Sequence, residues 1–309
     1  MNNTKKVREG VIASVLFLLI LLVTIFIPFL SIFSLFVLPL PFLVYTARYG
    51  WKPASILFLI LLLVSTFFVA VPIAFLTGLT GLMIGSAINQ QVSPYETWAR
   101  GTVGYAVGIV ALFLFVQVFL NINIIAEMNQ TVEQSMETSE AFLSSFGLES
   151  TQEDLTIVIE QIEQLIHLLP VIIVVIAVIC AFIIQYIGYK VLNWLDRYQL
   201  YFPPFRNFQL PKAMIWLYLI AIVTSWLNQD QSSMMYIVAW NVTSLAGLII
   251  AMQGLSFVFY YTDKKKLSKA IPIITIVMIV LFPPLGLYMV RILGIIDLGF
   301  SLRERLAEK

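Results

Sequence analysis

The chain has 309 residues, of which 60% are hydrophobic and 11% charged, and its formal net charge is +1. Soluble domains carry about 45–50% apolar and about 25% charged residues, and a soluble chain of this length needs far more polar surface to cover its core. The composition indicates an integral membrane protein, sets aside soluble-domain templates, and leaves no global field to attract nucleic acid.

The amino end carries Lys5, Lys6 and Arg8 ahead of an apolar run from Val11 to Ile27. No small-residue cleavage pattern follows it, and Pro28 leads into a second apolar run. This reads as an uncleaved first span rather than a signal peptide. A membrane-crossing helix needs roughly 20 apolar residues. The runs that approach this length are Val11–Ile27, Phe29–Ala47, Pro53–Val71, Pro72–Ile88, Gly101–Leu120, Leu168–Tyr189, Ala213–Leu227 and Met234–Tyr261. A ninth apolar region runs from Ala270 to Leu298 and is interrupted by Pro283-Pro284. The runs are continuously apolar and do not alternate, so the expected fold is an all-α polytopic membrane protein and not a β-barrel. It should have eight transmembrane helices plus a proline-bent ninth segment, re-entrant or spanning. Residues 1–120 form a first block of membrane helices, 121–167 an extracellular insertion, and 168–309 the remaining helices and tail.

Lys and Arg give the orientation. With the amino end in the cytoplasm, the inner loops hold Lys5, Lys6, Arg8, Arg48, Lys52, Arg100, Lys190, Arg197, Arg206, Lys212, Lys264, Lys265, Lys266 and Lys269, and no outer loop up to Tyr261 holds one. Between Gly101 and Tyr189 there is neither Lys nor Arg. Localisation in a bacterial cytoplasmic membrane, amino end inside, follows as the expectation. A bent ninth segment would return Arg303, Arg305 and Lys309 to the inner side; a crossing one would place them outside.

The insertion from Asn121 to His167 holds nine of the chain's 17 acids. Ile125, Met128, Val132, Met136, Leu143 and Phe146 recur at helical spacing. Gly147 is a helix stop, Ser150 with Glu153 reads as an N-cap with a capping-box glutamate, and Leu155, Ile159, Ile162, Ile166 and Leu169 form a second stripe. Two amphipathic helices are expected outside. Their acids either collect cations or meet a partner, or simply keep the hairpin soluble. The segment from Glu149 to Asp154 lacks the oxygen-ligand spacing of a calcium loop.

The fourth span carries Gly78, Gly81 and Gly85, and the fifth Gly101, Gly104 and Gly108. Small residues at four-residue spacing let helix backbones approach closely in lipid, so these faces should pack spans four and five on each other or dock a separate membrane subunit. Gly10 and Ser14 form a weaker face of the same kind. Gln117, Asn121, Gln185, Asn241, Thr243, Ser244 and Gln253 are polar groups at membrane depth, where lipid supplies no partner. They are either interhelical hydrogen-bonding groups or, for Gln117, Asn121, Trp240 and Asn241, the lining of a small-molecule pocket near the outer side. No Asp, Glu, Lys or Arg lies at the centre of the first eight spans, where proton- and ion-coupled carriers place one.

Enzyme signatures are missing: there is no His-Glu-x-x-His, no Walker lysine loop and no Ser-His arrangement. The single Cys180 cannot form an internal disulfide, and the single His167 is too few for a zinc site. No catalytic residue, metal or cofactor is expected. The inner loop from Asp196 to Lys212 is rich in aromatics and basic residues, as interfacial anchors are.

Three segments resemble the YybS family of bacterial multi-pass proteins: Glu9-Gly-Val-Ile-Ala13, the stretch from Leu38-Pro-Leu-Pro through Arg48-Tyr-Gly-Trp-Lys-Pro53, and Leu293-Gly-Ile-Ile-Asp-Leu-Gly-Phe-Ser-Leu-Arg303. The first 120 residues are also similar in plan to the substrate-binding S components of energy-coupling-factor transporters, which begin with a small-residue helix and make a sharp step after the second. Here Phe17 follows Ala13 where their docking pattern repeats alanine, and about three further spans are added. The resemblance implies a substrate-binding or transport component that lacks its own energising site and works with a coupling subunit. The alternative is a membrane interaction or scaffold protein without transport activity.

Overall fold

The computed structural model describes residues 3–145, 166–228, 230 and 233–307. The described residues are helical with short connections and contain no strand. They form two compact units, Met1–Phe202 and Pro203–Lys309.

The first unit begins with α1 (Asn3–Phe26), α2 (Pro28–Val37), α3 (Leu40–Tyr49) and α4 (Trp51–Ser65), which ends in a 3-10 turn (Thr66–Phe68). It continues with α5 (Val71–Asn89), α6 (Pro94–Phe119), α7 (Ile124–Ser145) and α8 (Leu169–Asp196). Proline stands in the first turn of α2, α3, α5, α6 and α8, where its missing N–H has no helical partner to lose. The same chemistry splits the expected second span: Pro39 cannot donate, so α2 stops and α3 starts anew after Leu38. Ser93 caps α6 by accepting the Glu96 N–H at 3.2 Å, with glutamate at the third helical position as a capping box requires.

Backbone contact replaces hydrophobic drive where both faces are apolar. A Cβ on Gly81 would strike the Pro39 carbonyl and the Phe42 Cβ, and one on Gly85 would lie 2.6 Å from the Leu43 carbonyl and the Thr46 Cβ. The fourth-span glycines therefore admit α3, not the fifth span as expected from sequence. Gly78 leaves room for the Phe58 and Phe42 rings. The fifth-span glycines do meet the fourth: Gly101 faces Ile84, Gly104 faces Met83 and Thr80, and Gly108 faces Leu76. So α5 is the central slab, with α3 on one side and α6 on the other. Phe17, Phe42, Phe58 and Phe75 run edge to edge across α1, α3, α4 and α5, with centroids 4.9, 5.8 and 5.9 Å apart. Outside this core the apolar side chains face outward; Phe29 and Phe67 are 83% and 85% exposed, as the lipid-facing surface of a membrane protein is.

The second unit holds a 3-10 turn (Phe205–Asn207), α9 (Ala213–Leu227), α10 (Met234–Lys264), α11 (Ala270–Leu281), α12 (Pro283–Phe300) and α13 (Leu302–Ala307). Its centre is the α10/α12 pair. A Cβ on Gly254 would overlap the Val290 carbonyl, and one on Gly294 would overlap the Ile250 carbonyl. Gly247 faces Arg291, Gln253 meets Asp297, and Tyr260 meets Arg303. Both series ascend together, so α10 and α12 run parallel, with α11 as the return arm. Phe282 (φ −130°, ψ 67°) makes the bend before Pro283.

Eight described helical stretches are long and apolar enough to cross a membrane, with α2 and α3 together (Pro28–Tyr49) and α4 with its 3-10 turn (Trp51–Phe68) each counted as one. The count expected from sequence was also eight, but the set differs. Ala213–Leu227 is shorter than a spanning helix, while Pro283–Phe300 is long enough to be one. α11, with 12 residues, extends about 18 Å at 1.5 Å per residue, about half the hydrocarbon thickness. Helix α8 packs with the first unit through α3 and α6, so the compact units divide near Phe202 rather than at the polar insertion. Of that insertion the first helix is α7; the expected second helix and its Ser150 cap lie outside the described residues.

Candidate functional site

The four residues expected to line a pocket line none of the three clefts described below. Gln117 and Asn121 belong to the first unit, Trp240 and Asn241 to the second. Gln117 and Asn121 are exposed, the latter at φ 55° in the turn that ends α6. Trp240 stacks on Tyr236 at 6.0 Å. The buried Asn241 donates back to the Ile237 carbonyl at 2.8 Å. The other amides join helices. Gln185 donates to the Pro94 carbonyl at 2.9 Å and to the Tyr189 hydroxyl at 2.7 Å, and Gln253 bridges the Leu210 N–H to Asp297.

The structure instead places a cleft of about 480 Å³ between α1, α3 and α8. Its walls include Ala13, Leu16, Ile20, Val37, Val44 and Val191, and one end is formed by Arg8, Glu9 and Arg48. Gly10 positions the α1 wall: a Cβ there would sit 3.3 Å from the Tyr45 hydroxyl. Ser14 returns its hydroxyl to the Gly10 carbonyl at 2.9 Å, which leaves the cleft face of α1 apolar.

The polar end is held by one arginine. Arg48 donates Nε to Asp196 Oδ2 at 2.7 Å, Nη2 to Oδ1 at 2.8 Å, and Nη1 to Glu9 Oε2 at 2.8 Å. The planar fork of arginine fits a carboxylate through two parallel bonds and leaves a third direction for another acceptor. The guanidinium thereby ties the amino end of α1, the carboxyl end of α3 and the carboxyl end of α8. Asn89 adds α5 to the same end by donating to the Ala47 carbonyl at 2.9 Å. Arg8 is exposed, as is Lys5, whose Nζ is 3.9 Å from Glu9, so with Arg48 three cationic groups stand around the two carboxylates. An apolar groove with a cationic mouth can take an amphiphile whose head is anionic.

Two other clefts are almost wholly apolar. One of about 540 Å³ lies between α4, α5 and α6, and one of about 530 Å³ between α9 and α10. Among the described residues no three His, Cys, Asp or Glu side chains cluster as metal ligands would.

A second polar centre, in the other unit, is closed. Asp297 accepts from Gln253 Nε2 at 2.5 Å and from Arg303 Nε at 2.9 Å. Arg303 also donates to the Arg206 and Phe208 carbonyls at 2.9 and 3.0 Å and to the Ser256 hydroxyl at 3.1 Å. Ser301 at φ 50° ends α12 and turns the chain so that Arg303 folds back. Nε, Nη1 and Nη2 of Arg303 each have an acceptor within the fold, so this centre anchors the aromatic loop and the tail rather than presenting a site. Sequence reading quoted Asp297 and Arg303 within one motif but had no signal that they pair. The Arg48–Asp196 contact, across 148 positions, has no local signature at all.

A family profile described as "Predicted membrane protein (DUF2232)" matches residues 15–298. The chain is 30% identical over 310 positions to "Uncharacterized protein YybS" of Bacillus subtilis (strain 168), with 99% of each chain covered. No solved structure matches significantly, so the likeness to S components gains no support from that comparison.

Proposed function

The chain belongs to the DUF2232 family of membrane proteins, and on that footing we propose that it is a substrate-binding component of a bacterial cytoplasmic membrane, neither an enzyme nor a self-powered carrier. The amino end lies in the cytoplasm. The bound molecule is an amphiphile with an anionic head and an apolar chain, taken into the α1/α3/α8 cleft. A separate coupling or membrane subunit supplies the energy for any movement of it.

The observation that carries this reading is the cleft, with its cationic mouth and apolar walls. From Arg8 to Ile20 the wall of α1 extends about 18 Å at helical rise, enough for a medium-length acyl chain below its head. Arg48 is already held by two carboxylates, which leaves Arg8 to meet the head. The Lys/Arg distribution supports the orientation, because the mouth carries the basic residues of the inner loops.

The test uses the purified chain in nanodiscs of zwitterionic lipid, with dodecyl phosphate as probe and dodecanol as neutral control. A ligand at a hundredfold excess over its Kd stabilises the fold by about 2.7 kcal/mol, so the phosphate should raise the melting temperature more than the alcohol. Val44→Trp, which fills the cleft, and Arg8→Glu, which reverses its mouth, should each reduce the difference. An equal shift in parent and both variants refutes the site. Proton- or sodium-driven uptake by the chain alone in liposomes refutes the need for a separate energy source.

A further inference from the structure

We propose that Arg291 anchors an anion site at mid-depth in the second unit, taking the carboxylate or phosphate group of a molecule whose body is apolar. Gly247, which faces Arg291, lies 13 residues into the 31-residue α10, near the helix midpoint. An arginine at that depth is costly unless something compensates it. Here its compensation is thin. Nη1 is 3.4 Å from the Tyr218 hydroxyl, and the Tyr218 ring centroid is 6.0 Å from Cζ. Nε is buried with no acceptor, and among the described residues no carboxylate reaches Arg291 within ion-pair distance.

Two features separate this from poor packing. Arg303, in the same unit, has its carboxylate, two carbonyls and a hydroxyl, so the fold satisfies a buried guanidinium where only structure is at stake. Arg291 also has prepared surroundings. Glycine at 247 lets the guanidinium lie against α10: a Cβ there would come 2.8 Å from Cζ and 3.0 Å from Nε, and the end of the arginine would have to swing away. Thr243 stands one turn earlier on the same face of α10, and its buried hydroxyl likewise has no partner. An oxyanion accepts from a guanidinium and a hydroxyl together, which meets both unmet donors. The apolar α9/α10 cleft includes Ala221, one turn from Tyr218, and Val242, beside Thr243. Arg291, Tyr218 and Thr243 do not themselves line it; the apolar body of the ligand would extend from the charged end toward it.

The oxyanion comes either from a free organic acid or phosphate ester, or from an anionic lipid, and two arms separate these sources. The full chain is placed in phosphatidylcholine nanodiscs and titrated with octanoate, octyl phosphate and neutral octanol, read by thermal shift. In parallel it is placed in nanodiscs containing phosphatidylglycerol. Stabilisation by the octyl anions identifies a free ligand, and stabilisation by phosphatidylglycerol alone identifies a lipid. In either case Arg291→Met should abolish the effect, while Arg291→Lys and Thr243→Val should weaken apparent affinity at least tenfold. All of these effects are read in a Val44→Trp background, which closes the α1/α3/α8 cleft, so that only the second-unit site is measured. If Arg291→Met does not fold, the lysine and valine variants decide alone. Anion effects unchanged in those variants, or no stabilisation in either arm, overturn the proposal.

Discussion

The buried Asp297–Arg303 pair offers a sharp test of how the carboxyl-terminal unit is held. Both side chains are more than nine-tenths buried, so removing one leaves the other charged and uncompensated. Such single removals cost about 3–5 kcal/mol. Asp297→Leu strands the guanidinium and the Gln253 amide. Arg303→Met strands the carboxylate, whose remaining donor is Gln253, and frees the Arg206 carbonyl. If the two losses were independent, the double variant would lose about 6–10 kcal/mol. In fact it removes both charges together and leaves two neutral groups, the Gln253 amide and the Arg206 carbonyl, each costing about 1–3 kcal/mol. The double variant should therefore be no worse than either single, with a coupling energy of several kcal/mol. Equilibrium unfolding of parent, singles and double in mixed detergent closes the cycle. Additive losses would refute the assignment of this pair as a closed, mutually dependent centre.

Other outcomes follow from the same geometry. Gly81→Ala should cost about 1–3 kcal/mol in detergent unfolding, because its Cβ meets the α3 backbone, whereas Gly10→Ala meets only the end of the Tyr45 side chain and should stay within about 1 kcal/mol; equal effects would contradict the α3/α5 packing. In a Cys180→Ala background, Ser139→Cys on α7 should react with an impermeant maleimide in intact cells, and Ser268→Cys only after lysis. Because α12 runs parallel to α10, Glu304→Cys should behave as Ser268→Cys does, and labelling of it in intact cells would overturn that parallel arrangement.

The sequence made the helices legible because lipid imposes one rule on every backbone group, and continuous apolar runs answer to nothing else. It was less informative about breaks. Pro39 lies within an unbroken apolar run, so composition merges α2 and α3, and only the missing N–H divides them. Near Pro283 the bend was foreseeable for the same reason, yet the parallel α10/α12 pairing was not. It rests on Gly254 and Gly294, forty positions apart; Gly254 shares a stripe with Gly247 and Ala251, but Gly294 has no small residue four positions away to mark the partner face.

Residue type alone does not locate a binding face. An amide in an apolar run is conspicuous in sequence, but its role depends on which face it occupies. Gln185 and Gln253 face neighbouring helices and are consumed there, while Gln117 points outward at the end of its helix. The α1/α3/α8 cleft left the opposite trace. Its walls are mostly Ala, Leu, Ile and Val, with Pro41 and Tyr45, largely indistinguishable in sequence from lipid-facing positions, and its mouth is drawn from the ends of α1, α3 and α8, far apart in the chain. A groove proposed to hold an acyl chain would lie hidden among residues that could equally well face lipid, because it and the bilayer around it present the same chemistry. Charge at the groove's end is what separates them, and that charge becomes a site only once the fold has brought Arg8, Glu9, Arg48 and Asp196 to one place.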